Sequence, residues 1–187
     1  MCGICGFVFR THPEYDADAV LGRMMRRLAH RGPDADGAWA GEGVRLGHRR
    51  LNIIDLEGGV QPMTNEDGRV VTSFNGELYN YLDLRASLEA RGHVLKTHSD
   101  TETLVHLWEE HGVETPTHLR GMFALSIWDD TEKSLFLARD RMGQKPLYYC
   151  ETGEGLAFAS ELTALLEHPA VGRDIDPVSL RRYLLFD

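Results

Sequence analysis

Residues Gly3 to Phe9 form a short apolar run rich in Phe, Val and Ile, and it opens directly after a cysteine in the order Met1-Cys2-Gly3-Ile4-Cys5-Gly6. Such a run reads as a buried strand. The rest of the chain is therefore read as structure arranged around its own amino terminus. Once Met1 is removed, Cys2 carries a thiol, with an ordinary pKa of about 8.5, and a free α-amine, with one of about 7.7–8.0. A nucleophile and a base are then adjacent by covalent geometry, with no partner histidine required. The alternative is a small residue buried at the start of an edge strand, since free cysteines are commonly buried.

The elements that follow are short. Asp16 to His30 predicts a helix with Val20, Leu21, Met24, Met25 and Leu28 as its apolar stripe, capped by Asp16 or Asp18, and Arg31-Gly32-Pro33-Asp34 breaks it. Val44 to Ile54 and Val70 to Phe74 read as strands, the second closed by an Asn75-Gly76 reversal. Leu78 to Arg91 returns to helical spacing, with Gly92 as its stop. Val94 to Thr97 reads as a short strand, and Ser99 with Glu102 as a capping box for a helix running to His111. Two hairpins follow, Phe123–Ile127 with Leu135–Leu137 and Leu147–Cys150 with Leu156–Ala159. Helices at Glu161–Leu166 and from Pro177 complete the chain. Hairpin-linked strands with several amphipathic helices imply layers of antiparallel sheet covered by helices, an α+β fold.

Composition excludes some functions. The formal charge of −9 disfavours a broad basic face for nucleic acid. No apolar run approaches the roughly 20 residues of a membrane span. The amino terminus lacks the basic and apolar regions of a signal peptide, which implies the cytoplasm. The three cysteines do not make a disulfide framework. Cys2 and Cys5 form a C-x-x-C, but three extended steps separate their Cα atoms by about 10 Å, beyond disulfide reach. A zinc site would need two more ligands, and neither a second C-x-x-C nor an H-x-x-x-H follows. No metal site and no phosphate-binding glycine loop is expected.

Several residues could act on a substrate brought to Cys2. A sharp turn at Asn75-Gly76 would expose the Gly76 N–H, and the Asn75 amide could add a second donor, the pair an oxyanion needs. A plain hairpin or helix-entry turn is the alternative. Glu77 would supply a carboxylate beside them. Strand alternation puts His48 and Arg50 on one side and Arg49 on the other; a buried Arg50 would suit a carboxylate, whereas an exposed one would be a solvated edge. Asp100 either serves a helix start or, if Ser99 caps, faces a ligand amine. The charged run Arg139 to Pro146 reads as an ion-paired structural loop with no catalytic role, though it could also close a site.

Taken together, these stretches resemble the class II glutamine amidotransferases, and within them the glutaminase domain of glutamine-dependent asparagine synthetase. The resemblance is carried by Met1-Cys2-Gly3-Ile4, His30-Arg31-Gly32-Pro33-Asp34, His48 to Asp55, Gln61-Pro62-Met63, Phe74 to Asn80 and Ser99-Asp100-Thr101-Glu102. It continues through Gly121 to Ala124, Ala138-Arg139-Asp140, Lys145 to Tyr149 and Phe158-Ala159-Ser160-Glu161. It implies a four-layer αββα N-terminal-nucleophile fold and Cys2 as the group that attacks the glutamine side-chain amide. It implies Asn75 and Gly76 as the oxyanion hole, and Arg50, Asp100, Glu77 and the Ile53 backbone as contacts to the amino-acid end of L-glutamine.

On this resemblance residues 1–166 form the glutaminase domain and 167–187 lead toward a carboxy-terminal synthetase domain, the expected partner. ATP and Mg belong to that domain, with no cofactor in this chain. A homodimer is compatible with the reading. Two alternatives stand: a glutamine-binding or regulatory domain without turnover, and an amidotransferase acting on a carboxylate other than aspartate.

Overall fold

The computed structural model describes residues 1–51 and 59–186. A five-stranded sheet has the order β2-β3-β1-β9-β8, from Ala35–Gly41 (β2), Val44–Arg50 (β3), Gly3–Phe9 (β1), Gly155–Ala159 (β9) and Tyr148–Glu151 (β8). A four-stranded sheet has the order β4-β5-β6-β7, from Met63–Thr64, Val70–Leu78, Gly121–Asp129 and Ser134–Arg139. All pairings are antiparallel. The strand expected at the amino terminus is thus central to its sheet, paired on both sides.

Period-two alternation along these strands sorts side chains into three apolar interfaces. Ile4, Val44, Leu46 and Phe158 of the first sheet meet Val71, Ala124 and Trp128 of the second. On the opposite face of the first sheet, Cys5, Phe7, Ala157 and Ala159 pack on Val20, Leu21 and Met24 of α1 (Ala17–Arg27) and Leu165 of α5 (Leu162–Leu165). On the outer face of the second, Phe74, Leu78, Phe123, Leu125 and Ile127 meet Leu104, Val105 and Trp108 of α3 (Glu102–His111). Helix, sheet, sheet and helix are therefore stacked in that order, the four-layer αββα arrangement. Each fully buried side chain of this kind contributes about 1.5–3 kcal/mol, so the three interfaces together hold the layers in register.

Helix ends follow the local sequence. The Asp16 carboxylate accepts from the N–H groups of Asp18 and Ala19 at 3.0 Å each, capping α1. Helix α2 (Tyr81–Ala90) ends in a Schellman motif: Gly92 donates to Glu89 O and His93 to Leu88 O, with Gly92 at φ +100°, which favours glycine. Asp176 caps α6 (Pro177–Phe186) through Val178 and Ser179 N–H. A short helix, α4 (Thr115–His118), follows α3. Among the described residues no helix is long and apolar enough to cross a membrane.

Four expectations need correction. Asn75-Gly76 is no reversal: β5 runs straight through it to Leu78, because residues 75–78 pair with 121–124 of β6. Residues 94–97 are not a strand; they lack a pairing partner, and Arg85 takes the carbonyls of Leu95 and Thr97. The capping box is also absent. Thr101 is the N-cap without a side-chain bond, and the Glu102 carboxylate instead accepts from Lys96 N–H and Thr97 N–H at 2.7 Å each. The Arg139–Pro146 loop is not ion-paired among the described residues. Asp140 organises it, accepting four backbone N–H bonds from Phe123, Met142, Gln144 and Lys145. Burial would push the Asp140 carboxyl up, but those donors outweigh it and hold the group below its ordinary range.

Candidate active site

The register of β1 against β3 pairs Gly3 with Arg49. Cys2 therefore arrives beside the end of β3, where its Sγ lies 3.5 Å from Leu51 N and 3.7 Å from Leu51 O. The backbone on both sides of the thiol is clamped. Arg31 Nε donates to Cys2 O at 3.0 Å while Nη1 of the same guanidinium pairs with Glu161 at 3.1 Å. Ser160 Oγ accepts from Ile4 N–H at 2.9 Å, and Ser160 N–H donates to Ile4 O at 2.8 Å. Gly32 lies so close to β3 that a Cβ there would sit 2.2 Å from Arg49 C, which brings the Arg31–Asp34 segment against the strand.

Cys5 faces the other way. It is fully buried in the α1 interface, and burial pushes its thiol far above the ordinary range. All three cysteines are free thiols. Alternation along one strand thus separates a half-exposed cysteine from an inert one.

A cleft opens at Cys2, lined also by Arg50, Gly76, Glu77, Ser99 and Asp100. Arg50 ends β3 on the same face as Leu46 and His48 and is buried, not a solvated edge. Arg49 points the other way and pairs with Asp36 at 3.1 Å. Neighbouring His48 gives its Nε2 to the Phe74 carbonyl at 3.1 Å, tying the two sheets together. Burial first, then Arg50, lowers the His48 pKa to about 4 against the opposing effect of the Phe74 carbonyl, so the ring is neutral at neutral pH.

Strand β5 supplies the donors by pairing rather than by a turn. Tyr79 N–H bonds toward β6, to Arg120 O at 2.7 Å. Antiparallel alternation then directs the N–H groups of Phe74, Gly76 and Leu78 to the opposite edge. Strand β4 ends its pairing at Thr72, so among the described residues no strand covers this edge beyond it. Gln61 Oε1 takes Phe74 N–H at 2.7 Å and Asp100 Oδ2 takes Leu78 N–H at 3.1 Å. Gly76, between them, presents its N–H to the cleft. Next to it Asn75 is buried, and its Nδ2 has no partner among the described residues. Asn75 is not itself a cleft-lining residue; Gly76 is.

Asp100 precedes α3 with its carboxylate inward. Burial first, and then Glu77, raises its pKa, while the Leu78 and Thr101 hydrogen bonds oppose the rise. Two carboxylates therefore face one side of the cleft, Asp100 buried and Glu77 exposed. Arg50 is the guanidinium among the lining residues. Ile53 lies outside the described residues, as does the end of the strand expected to reach Ile54.

Sequence reasoning overlooked Gln61, which lines the cleft and also donates from Nε2 to Thr101 Oγ1 at 3.2 Å, joining the β5 edge to the start of α3. It also overlooked the Cys2 clamp made by Arg31 and Ser160. Each was visible as part of a quoted motif, but its role is a long-range bond. Among the described residues one group with metal-ligand spacing occurs, His93, His106 and Glu109, apart from this cleft.

A four-layer sandwich whose central strand begins at a cleft-lining cysteine is the architecture of the N-terminal-nucleophile amidotransferases. The fold is shared with the solved structure of the allosteric regulatory enzyme of purine biosynthesis, with a TM-score of 0.76 and 26% identity over 94% of this chain and 45% of that one. The glutamine phosphoribosylpyrophosphate amidotransferase of B. subtilis matches in fold with a TM-score of 0.75, at 23% identity over 94% of this chain and 46% of its own. The chain belongs to the glutamine amidotransferase domain family, which it matches over residues 1–187.

Among curated relatives, the glutamine-hydrolysing asparagine synthetase 3 of Bacillus subtilis (strain 168) is 41% identical over 182 residues, 96% of this chain and 30% of the relative. Asparagine synthetase 1 of the same organism is 42% identical over 189 residues, 100% of this chain and 30% of the relative. Asparagine synthetase 3 of Arabidopsis thaliana is 41% identical over 166 residues, 88% of this chain and 28% of the relative. The chain thus spans under a third of the length of these relatives.

Proposed function

We propose that this domain hydrolyses L-glutamine to L-glutamate and ammonia through a γ-glutamyl thioester on Cys2. The observation that carries the reading is one cleft lined by a thiol, a guanidinium, two carboxylates and a strand edge. Arg50 binds the α-carboxylate of glutamine, and Asp100 with Glu77 binds the α-ammonium. The side-chain amide then reaches Sγ.

With Met1 removed, the Cys2 α-amine takes the thiol proton as sulfur attacks the amide carbon. Gly76 N–H and Asn75 Nδ2 hold the resulting oxyanion. The amine returns its proton to the departing nitrogen, ammonia leaves, and water attacks the thioester to release glutamate. While Met1 is attached, the Cys2 nitrogen is a peptide amide and cannot be that base. In that form the Met1 Sδ lies 3.5 Å from Lys145 Nζ.

The ammonia feeds an ATP- and Mg-dependent amidation by a synthetase domain to which residues 167–187 lead, residues 1–166 being the glutaminase. Asparagine synthesis is the reading favoured by the names of the relatives, and we place it in the cytoplasm as the amino-terminal sequence implies. Ammonia release from glutamine by the wild-type domain and by Cys2→Ala tests the proposal. Turnover lost in the variant supports it; no wild-type turnover after Met1 removal leaves a glutamine-binding domain instead.

A further inference from the structure

We infer that His93, His106 and Glu109 form a binding site for a zinc-class divalent cation, with its fourth position left for water, where the segment after α2 crosses α3. The residues come from two parts of the chain. His93 follows the Gly92 stop of α2, and His106 and Glu109 stand one turn apart on α3; Glu66, between β4 and β5, stands beside His106. This inference is independent of the glutaminase reading.

The geometry has the size such an ion needs. His106 Nδ1 is 3.0 Å from Glu109 Oε2 and 3.8 Å from Glu66 Oε2, and His93 Nδ1 is 3.6 Å from Glu109 Oε2. A tetrahedral zinc with bonds of about 2.0–2.2 Å separates neighbouring ligand atoms by about 3.3–3.6 Å. Two imidazole nitrogens and one carboxylate oxygen, with water in the fourth position, are a donor set this ion accepts. The two ring centroids stand 4.9 Å apart, and the three ligand atoms all lie within 4.8 Å of one another.

The outer groups are arranged as second partners of metal ligands usually are. His93 Nε2 meets Glu110 Oε1 at 3.0 Å, and Arg91 holds the other Glu110 oxygen at 2.8 Å. That bond turns His93 Nδ1 inward as the lone-pair nitrogen. Asn65 Nδ2 donates to Glu109 Oε1 at 2.8 Å, leaving Oε2 for the ion, and Asn65 is itself buried and fixed by Val70 N–H at 3.1 Å. His106 is buried as well. Glu109 in the group and Glu66 beside His106 supply acidic side chains that a divalent cation would answer. The bound ion would brace the segment that runs from His93 to Asp100.

The test is titration of chelator-stripped protein with Co²⁺ and Zn²⁺, read by visible absorption, metal analysis and thermal melting. One equivalent per chain is expected, with four-coordinate Co²⁺ absorption and a Tm raised by Zn²⁺. Uptake should persist in Cys2→Ala. It should weaken at least about tenfold in His93→Gln and in Glu109→Gln, whose side chains are partly exposed, and about 10–100-fold in Glu110→Gln. Three results would each overturn the proposal: no stoichiometric uptake, uptake unchanged in the His93→Gln/Glu109→Gln double variant, or uptake lost with Cys2→Ala.

Discussion

Asp100 Oδ2 accepts the Leu78 N–H at 3.1 Å, so the carboxylate at the start of α3 is held by the end of β5. That bond sets one wall of the cleft. It also keeps a carboxylate largely out of water, 6% exposed, with Glu77 close enough to oppose its ionisation. The site therefore holds a charge that the ligand-free fold disfavours and that an ammonium ligand would reward.

Replacing Asp100 with Asn should accordingly separate binding from stability. Burial raises the Asp100 pKa in the folded state. Stability from this group is therefore full below the unfolded pKa of about 3.9 and is lost as pH rises through the folded value. At pH 7 Asp100→Asn should melt higher than wild type, while KM for glutamine rises about tenfold or more, the loss of a charged hydrogen bond. Melting curves and steady-state kinetics on the same preparations check both. Wild-type KM should also rise on acidification at a pH above that of an ordinary carboxylate.

Asn75→Ala probes the buried Nδ2, which has no partner among the described residues. If that amide meets only a transition-state oxyanion, kcat should fall about 100- to 1000-fold with little change in KM. A matching loss in KM alone would make Asn75 a ground-state contact instead.

Gly76→Ala tests the strand edge. An added Cβ would sit 2.3 Å from Met122 O and 2.9 Å from Phe123 Cα, in backbone that cannot yield cheaply. Destabilisation of about 1–3 kcal/mol in urea is expected from such overpacking, together with loss of turnover as the N–H is displaced.

His48 predicts an acid limit. The unfolded chain takes up this proton near pH 6.5, whereas the folded chain holds it off until about pH 4. Stability linked to His48 is full above about pH 6.5 and is lost as pH falls toward 4. The pH dependence of urea midpoints should flatten over that window in His48→Gln, and the wild-type ring should titrate near pH 4 by NMR.

Much of this was legible in the sequence because it was written locally. The Asp16 and Asp176 caps, the Gly92 stop, the two hairpins and the opposed faces of His48 and Arg49 follow from periodicity and capping chemistry. Features decided by pairing were not. Asn75-Gly76 has the local preference of a turn, yet nine residue pairs with β6 keep it extended. Residues 94–97 have the composition of a strand and no neighbour to pair with. Ala35–Gly41 offered too little apolar alternation to announce β2, an edge strand of Ala and Gly around Trp39. The cleft residues Cys2, Arg50, Gly76, Glu77 and Asp100 were all named from sequence. The bonds that position them, from Arg31, Ser160 and Gln61, join segments far apart in the chain and appear only with the fold.

The central claim is that the α-amine freed by loss of Met1 is the base that makes Cys2 a nucleophile. Intact-mass analysis after treatment with an electrophilic glutamine analogue tests it most directly, alongside ammonia release from the same sample. The account predicts one adduct per chain, located on Cys2, only in molecules lacking the mass of Met1, with turnover proportional to that fraction. Full ammonia release from protein that retains Met1 would contradict it.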